Sequence, residues 1–463
     1  MATRYVNVDR DTALLLPPDL RDWVPADHLV HFVIDAVEQL DVRTARVNER
    51  GTGSEQYPPG MLLGLLIYSY ATGVFSSRQI ERATHENVAV RLLCADTHPD
   101  HDTLCAFRRE NAALLGACFA QVLELAAGCG VLKVGGITVA IDGTKILANA
   151  SRHSAVSYEH ADKTMRQLDL EIAELLRKAE AADAVPLSDG LTIPEEVQRR
   201  VERKAQLARA RAEMEARAYA RMQAEKQEYA AQVADNRAKR VAGEKEGHWP
   251  HRPSGPAPGS KEQYNFTDPD SRIMKTQGMH FEQAYNAQAA VEVDSRLIVG
   301  QRVSTVPNDQ RQLVPTVRVI GPAVGAVKEV LVDSGFVSEA AVTALEVDEA
   351  GQRTGLTVIA PVRREGHGRT IAQLERRQDP PPPGPGAPFV ERMRHRTATA
   401  VGRLRYKLRQ QTVEPTFGII KEVLGFRRFS MRGESKAALE WTLVSLAFNL
   451  KRLHRLGADL NPA

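Results

Sequence analysis

A chain of 463 residues with 43% apolar and 26% charged side chains is too long for one ordinary domain and too apolar to be disordered, so two or three folded domains are expected. A net charge of +3 does not by itself announce an acidic partner, because balanced acids can hide a basic face, and four cysteines exclude a disulfide framework. The start, MATRYVNVDRDTALLLPPDL, lacks the basic segment, apolar core and cleavage site of a secretion signal, so the cytoplasm is the expected compartment.

Up to about residue 130 the pattern is helical. Leu29, Phe32, Val33, Ala36, Val37 and Leu40 recur at helical spacing, and an apolar run from Met61 to Phe75 follows Pro58-Pro59-Gly60. That run is shorter than the roughly 20 residues a bilayer span needs and is broken by Gly64 and Gly73, so it reads as a buried helix with no membrane role. Ile137 to Ile141, preceded by Gly135-Gly136 and closed by Asp142-Gly143, predicts a central strand.

From about 156 to 260 the composition shifts to Ala, Glu, Arg, Lys and Gln. Leu168, Ile172, Leu175 and Leu176 share one face, and Val197, Val201 and Leu207 a later one. Two long helices are predicted, broken between Pro186 and Pro194 as an antiparallel hairpin, with a loop from His248 to Gly259. Strand signals return at Tyr285 to Val293 and Leu297 to Val306, joined by Asp294-Ser-Arg296. Further strands are predicted at Val327 to Val332, ending in Asp333-Ser-Gly335, and at Leu356 to Val362, with a helix over Ser338 to Leu345 between them. A stiff Pro-rich linker spans Asp379 to Pro388, and helices follow over Val413 to Phe426 and Ala437 to Leu453.

Asp142 and Asp333 each stand where a buried strand meets a glycine-containing turn. On neighbouring parallel strands both carboxylates would share the carboxyl edge of the sheet, where ligands of open α/β sheets usually bind. Two acids forced together repel unless a divalent cation lies between them, and magnesium suits such oxygen donors. A third acid, Glu414, lies within a basic stretch: from Glu391 to Arg432 there are eleven Lys or Arg against three Glu. Cations for backbone phosphates with one carboxylate for a metal is what phosphodiester chemistry requires. If the helix runs on through Pro415, Lys421 lies two turns beyond Glu414 on the same face, with Phe417, Ile420 and Leu424 as its buried stripe.

Ile141-Asp-Gly-Thr-Lys-Ile146 with Ala148 to Ser151, Thr267 to Lys275 with Tyr285-Asn-Ala-Gln288, and the run from Tyr406 to Gly433 followed by Glu440-Trp441 and Asn449 resemble the catalytic core of bacterial insertion-sequence DDE transposases. The likeness is to the eleven-eighty-two branch, which carries helices between its first two strands. Tyr57-Pro58, Tyr68 to Gly73, Ser76 to Arg78, Pro99 to Thr103 and Phe107-Arg108 are similar to that family's helical N-terminal domain, so the resemblance covers nearly the whole chain. It implies an α/β, RNase H-like mixed-sheet core over 131–155 and 261–455, a helical insertion over 156–260 and an all-α DNA-binding domain over 1–130.

The resemblance also implies that Asp142, Asp333 and Glu414 hold two Mg²⁺ ions, with Mn²⁺ able to substitute. Tyr406, Arg409 and Lys421 match the positions that grip phosphate in related transposases. The arginine stands five residues before Glu414 where the wider signature has four, which leaves Arg405 as an alternative. The implied activity is DNA strand cleavage and strand transfer at terminal inverted repeats and target DNA, by a homodimer on the nucleoid. A catalytically silent DNA-binding descendant and an RNase H-like nuclease that cuts without joining are the competing readings.

Other candidates rank lower. Cys94, His98, His101 and Cys105 have zinc-compatible spacing, but Cys105 falls among Leu104, Ala106 and Phe107 as a core cysteine would. Asp268 and Asp270 sit in a natural turn, and His153 to His160 read as loop. Thr84 to Arg109 is compatible with a helix-turn-helix-like pair. The insertion's Arg199, Arg200, Arg203, Lys204 and Arg209 are a candidate surface for DNA or a second subunit.

Overall fold

The computed structural model describes residues 19–46, 56–133, 135–181, 193–241, 243, 249, 251–276, 280–362, 378–384 and 386–460. The chain divides into two compact units, one formed by 1–147 with 285–463 and the other by 148–284.

In the first unit the N-terminal third is helical: α1 (Leu29–Glu38), α2 (Pro59–Ala71), α3 (Ser77–Glu86), α4 (Val88–Leu93), α5 (His101–Glu110) and α6 (Ala112–Gly128). Pro59 opens α2 at its first turn, where its missing N–H leaves no bond unmade, and every residue from Leu62 to Ala71 is buried. The apolar run is therefore a core helix, and no single described helix is long and apolar enough to cross a membrane. The Thr84 to Arg109 segment is the end of α3 followed by α4 and α5, three short helices in place of a simple pair.

The sheet of this unit contains β1 (Ile137–Leu147), β5 (Phe281–Glu292), β6 (Ile298–Ser304), β7 (Val327–Leu331) and β8 (Thr357–Ile359), with β5, β1, β7 and β8 side by side and β6 on β5. It is mixed: β1, β7 and β8 pair in parallel, while β5 and β6 form an antiparallel hairpin whose turn uses Arg296 at a φ of 60°. β1 is longer than its β-branched run, continuing through Asp142-Gly143 to Leu147, where it bridges to Arg428. The helices α9 (Leu313–Arg318), α10 (Glu339–Glu346), α11 (Phe389–Ala398), α12 (Ala400–Gly418) and α13 (Glu434–Arg455) complete the unit.

The core is organised by α13. Its apolar residues cover almost the whole circumference, and Trp441, Leu443, Leu446, Leu450 and Leu453 are fully buried, as a helix apolar all round must be. It packs on α2, α6 and β6, so the N-terminal helices and the sheet share one core. Its polar residues satisfy backbone groups inside that core. Asn449 donates to the carbonyl of Ile298 and accepts from its N–H, both at 2.8 Å, and the Trp441 indole N–H donates to the Gln288 carbonyl at 3.0 Å. Glu440, fully buried, accepts from the Tyr70 hydroxyl (3.1 Å), the Ser430 hydroxyl (2.6 Å) and the N–H groups of Ser430 and Met431, with Arg108 at 3.9 Å.

The second unit holds α7 (Tyr158–Ala181) and α8 (Ile193–Val241), with the short strands β2 (Ala155–Ser157) and β3 (Gln263–Asn265) paired antiparallel and β4 (Arg272–Lys275) paired with residues 281–284. It is broader than the predicted 156–260 insertion. The two helices pack against each other, and their ion pairs run in opposite chain order: Asp162 with Arg211, Asp169 with Lys204 and Glu171 with Arg200. They are antiparallel as the pattern predicts; most of the predicted break, 186–192, lies outside the described residues. The buried face is Leu168 with Leu207, Ala210 and Met214, whereas Leu176 and Val201 are exposed. Three arginines of α8 lie over rings: Arg203 over Phe266, Arg211 over Tyr158 and Arg217 over Tyr264.

Candidate active site

The parallel register of β1 and β7 aligns Ala140 with Leu331. Asp142 and Asp333 are each two residues further along, so both stand just past the last residues paired between the two strands, Asp333 beyond the end of β7 and Asp142 midway along β1. Asp142 is held within β1 and its Oδ1 accepts from the Gly143 N–H at 2.8 Å. Asp333 precedes a 3-10 turn at Ser334–Phe336 and its Oδ1 accepts from the Gly335 N–H at 2.6 Å.

The third acid arrives on α12, which lies against β1, β7 and β8. This helix runs unbroken through Pro415, so Glu414 keeps a helical position despite preceding proline. Immediately beyond, Ile419–Val423 forms a π-helical turn, in which the Leu424 N–H donates to the Ile419 carbonyl. The wider turn brings Lys421 in with Phe417, Ile420 and Leu424, and all four side chains are buried.

One cation lies among the three acids. Arg409, with 8% of its side chain exposed, donates through Nη2 to Asp142 Oδ2 at 2.9 Å, with Asp333 Oδ2 at 4.0 Å and Glu414 Oε1 at 3.5 Å from the guanidinium. Its Nε is buried without a hydrogen-bond partner. Burial pushes the Asp142 carboxyl up to about 6; Arg409 and the Gly143 N–H act the other way, while Asp333 and Asp309 add to the rise. Among the described residues no group of three His, Cys, Asp or Glu side chains is arranged to hold a metal ion. The three carboxylates share the guanidinium instead, and as a set of hard oxygen donors around a positive charge they fit a divalent cation by chemistry.

Of the other predicted residues, Tyr406 is half-buried on α12, and burial raises its hydroxyl pKa, followed by effects of Arg409, Asp333, Asp142 and Glu414. Arg405 points elsewhere: its Nε pairs with Glu329 at 3.4 Å, and Glu329 also accepts from the Thr138 hydroxyl. Between the two arginines the geometry therefore brings Arg409, not Arg405, to the carboxylates.

A family model described as a transposase domain matches residues 18–110, and one described as a transposase DDE domain matches residues 388–454. The two domains mark the chain as a transposase. The first match spans α1 to α5 of the transposase. The second takes in α11, α12 and nearly all of α13, including Tyr406, Arg409, Glu414 and Lys421; Asp142 and Asp333 lie outside both. No curated protein and no solved structure matches the chain.

One neighbour of the three acids carries no strong sequence signal. Asp309, in the loop after β6, accepts through Oδ1 from Asn286 Nδ2 at 2.7 Å and Gln288 Nε2 at 2.8 Å, with Lys145 Nζ at 3.6 Å. Asn286, Gln288 and Lys145 belong to the motifs singled out in the sequence, but nothing in their spacing names Asp309 as their partner. The same layer explains Gly143. A Cβ there would stand 2.7 Å from Asp309 Oδ1 and 2.8 Å from Asn286 Oδ1, and would also press on Gln288.

The lower-ranked candidates have other partners. Cys94 is fully buried and its thiol is pushed up to about 12 by burial. His98 contacts the Thr84 hydroxyl and stacks on His85, His101 pairs with Glu81 at 2.8 Å, and Cys105 contacts Ser77. In the second unit, Asp268 is buried in the turn before β4, His153 lies in a 3-10 turn and His160 in α7. Of the basic residues of the insertion, Arg199 and Arg200 pair with Glu196 and Lys204 with Asp169.

Proposed function

We propose that the chain is the transposase of a bacterial insertion sequence, of the eleven-eighty-two type, which binds terminal inverted repeats and cuts and joins DNA strands in an RNase H-like core. The observation that carries this reading is the convergence of Asp142, Asp333 and Glu414, from three separate segments, on the single guanidinium of Arg409. Carboxylates from distant parts of a chain gathered round one positive charge beside the sheet form a set of oxygen donors that can hold a cation.

Asp142, Asp333 and Glu414 are the residues that would hold divalent metal, Mg²⁺ with Mn²⁺ as substitute. When bound, such ions lower the pKa of an attacking water or 3′ hydroxyl and stabilise the leaving oxygen of an in-line displacement. The chain's own groups do the rest. Asp142, kept in place by the Gly143 N–H and by β1, sets the centre of the site. Tyr406, Arg409 and Lys421 present a hydroxyl and two cations for the strand's phosphates, and Arg409 balances the acids while the site is free of DNA. The basic stretch from Glu391 to Arg432 draws the phosphate backbone toward Glu414. The N-terminal helices bind the terminal repeats, and two copies of the chain act together on a pair of ends and a target. No covalent protein–DNA intermediate is needed, since water and the 3′ hydroxyl are the nucleophiles.

The test is strand cleavage and joining by purified protein in Mg²⁺ and in Mn²⁺, on DNA taken from immediately outside its own gene, beside Asp142→Asn. Metal-dependent nicks and joined products that vanish in the variant support the reading. Nicks without joined products would make the protein a nuclease, and binding without chemistry in either metal would make it a DNA-binding descendant.

A further inference from the structure

Beside the carboxylates lies a second grouping, of opposite charge. Lys145 is three residues past Asp142 on β1 and Lys421 is in the π-helical turn past Glu414. The side chain of Lys145 is 18% exposed and Lys421 is 8% exposed. Both ammonium pKa values are lowered, first by burial, and Lys145 contributes to the lowering at Lys421. Arg427, a third cation near Lys421, is already paired with Glu422.

Asp309 and Asp142 favour the charge on Lys145, and Glu422 that on Lys421, but none of them makes a close pair with either ammonium. Among the described residues Lys421 makes no ion pair and no side-chain hydrogen bond, and the one ion pair of Lys145 is the 3.6 Å approach to Asp309. Asp309 Oδ1 is itself already occupied by the amide groups of Asn286 and Gln288, both fully buried. Those amides keep their own carbonyl oxygens, Asn286 Oδ1 and Gln288 Oε1, buried and unpartnered. Two buried amides with orphaned acceptors are a costly way to hold one carboxylate, about 1–3 kcal/mol for each unmet group, and what that carboxylate faces is Lys145. The end of β1, two residues past Lys145, is bonded at Leu147 to the backbone of Arg427 and Phe429, just beyond the turn that carries Lys421. With Asp309 Oδ1 taken up by two amides and Glu422 paired with Arg427, the two ammonium groups leave room for an anion with several acceptor oxygens.

We propose that Lys145 and Lys421 together receive one backbone phosphate of the DNA strand next to Asp142, and that Asp309, locked by Asn286 and Gln288, positions the Lys145 ammonium for it. The inference rests on the DNA reading of the site. Lys145 is then a phosphate-binding residue and Asp309 a positioning residue acting through it.

The experiment is DNA binding by the full-length protein in metal-free buffer, as a function of salt, on duplex from immediately outside its gene. It compares wild type, Lys145→Met, Lys145→Arg, Asp309→Asn and the Asp309→Asn/Lys145→Met double variant, each checked by thermal melting. Each phosphate contact adds roughly 0.9 to the slope of log affinity against log salt. Lys145→Met is expected to flatten the slope by about one contact and Lys145→Arg to keep it. Asp309→Asn should weaken binding in the wild-type background and add nothing once Lys145 is gone. A methylphosphonate at one position should reproduce the loss in wild type and cost Lys145→Met nothing.

A folded Lys145→Met protein with the wild-type slope overturns the proposal. So does inorganic phosphate that raises the melting temperature of wild type but not of Lys145→Met while the DNA slopes stay equal, because the pair would then take free phosphate. The readout needs no cleavage: a protein that shows the slope change yet cuts no DNA in Mg²⁺ supports the phosphate contact and defeats the catalytic reading. A wild type that does not bind DNA defeats both.

Discussion

Arg409 Nη2 lies 2.9 Å from Asp142 Oδ2, joining a helix residue to a strand residue 267 positions earlier in the chain. Because the same guanidinium also serves Asp333 and Glu414, the balance of the site depends on it. Arg409→Met should destabilise the protein in metal-free buffer by about 3 kcal/mol, the low end for breaking a buried pair because Asp142 keeps some access to water. Mg²⁺ should raise the melting temperature of this variant more than that of wild type, since the cation and the guanidinium serve the same carboxylates. Equal shifts in thermal melts with and without EDTA would separate Arg409 from the cation site.

Asp142→Asn should leave DNA affinity within a few-fold of wild type and reduce cleavage by about 10³-fold or more, the equivalent of several kcal/mol of transition-state stabilisation. Cleavage rates at saturating DNA, measured beside gel-shift affinities, check both halves. A cleavage rate near that of wild type would remove Asp142 from the chemistry.

Gly143→Ala is expected to be severe for so small a change. The added Cβ would push into Asp309, Asn286 and Gln288, which are held by one another and cannot withdraw singly. Overpacking of this kind costs about 1–3 kcal/mol, and it would also displace the Asp142 backbone. A drop in melting temperature together with lost cleavage is expected, and wild-type values for both would show that the layer yields.

Glu440→Ala tests the core rather than the site. It strands Arg108 and removes the acceptor for Tyr70, Ser430 and Met431, so a loss of about 3–5 kcal/mol is expected in denaturant unfolding. Glu440→Gln should recover part of it, because an amide keeps one acceptor oxygen. If Glu440→Ala cost under about 1 kcal/mol, the network would contribute little to stability.

Cys94 should resist alkylation in the folded protein at pH 8 and react after unfolding, because it is fully buried and its thiol is pushed up to about 12. Mass spectrometry of alkylated native and urea-treated protein reads this directly.

Much of the local architecture is legible in the chain itself. The period of Leu168 and Leu207 in the insertion, the turn chemistry of Asp294-Ser-Arg296 between β5 and β6, and the apolar runs ending at Asp142 and Asp333 depend on neighbours a few residues away. The motifs around Asp142 and Glu414 likewise name the acids before any contact is known. What depended on distant partners was not readable. The strand runs on through Asp142-Gly143 beside β5 in the sheet, with an amide and carboxylate layer from β5 and the Asp309 loop against Gly143. Neither Arg405 nor Arg409 stands four residues before Glu414, so spacing does not choose between them; Glu329 on β7 pairs with the first, and Asp142 on β1 accepts from the second. Asp309 carries no signal along the chain, because a lone acid in a loop becomes part of a site only through which amides and ammonium groups the fold brings within hydrogen-bond reach. Local periodicity is a property of the sequence, whereas burial and charge pairing fall off with distance in space and so are decided only by the tertiary structure.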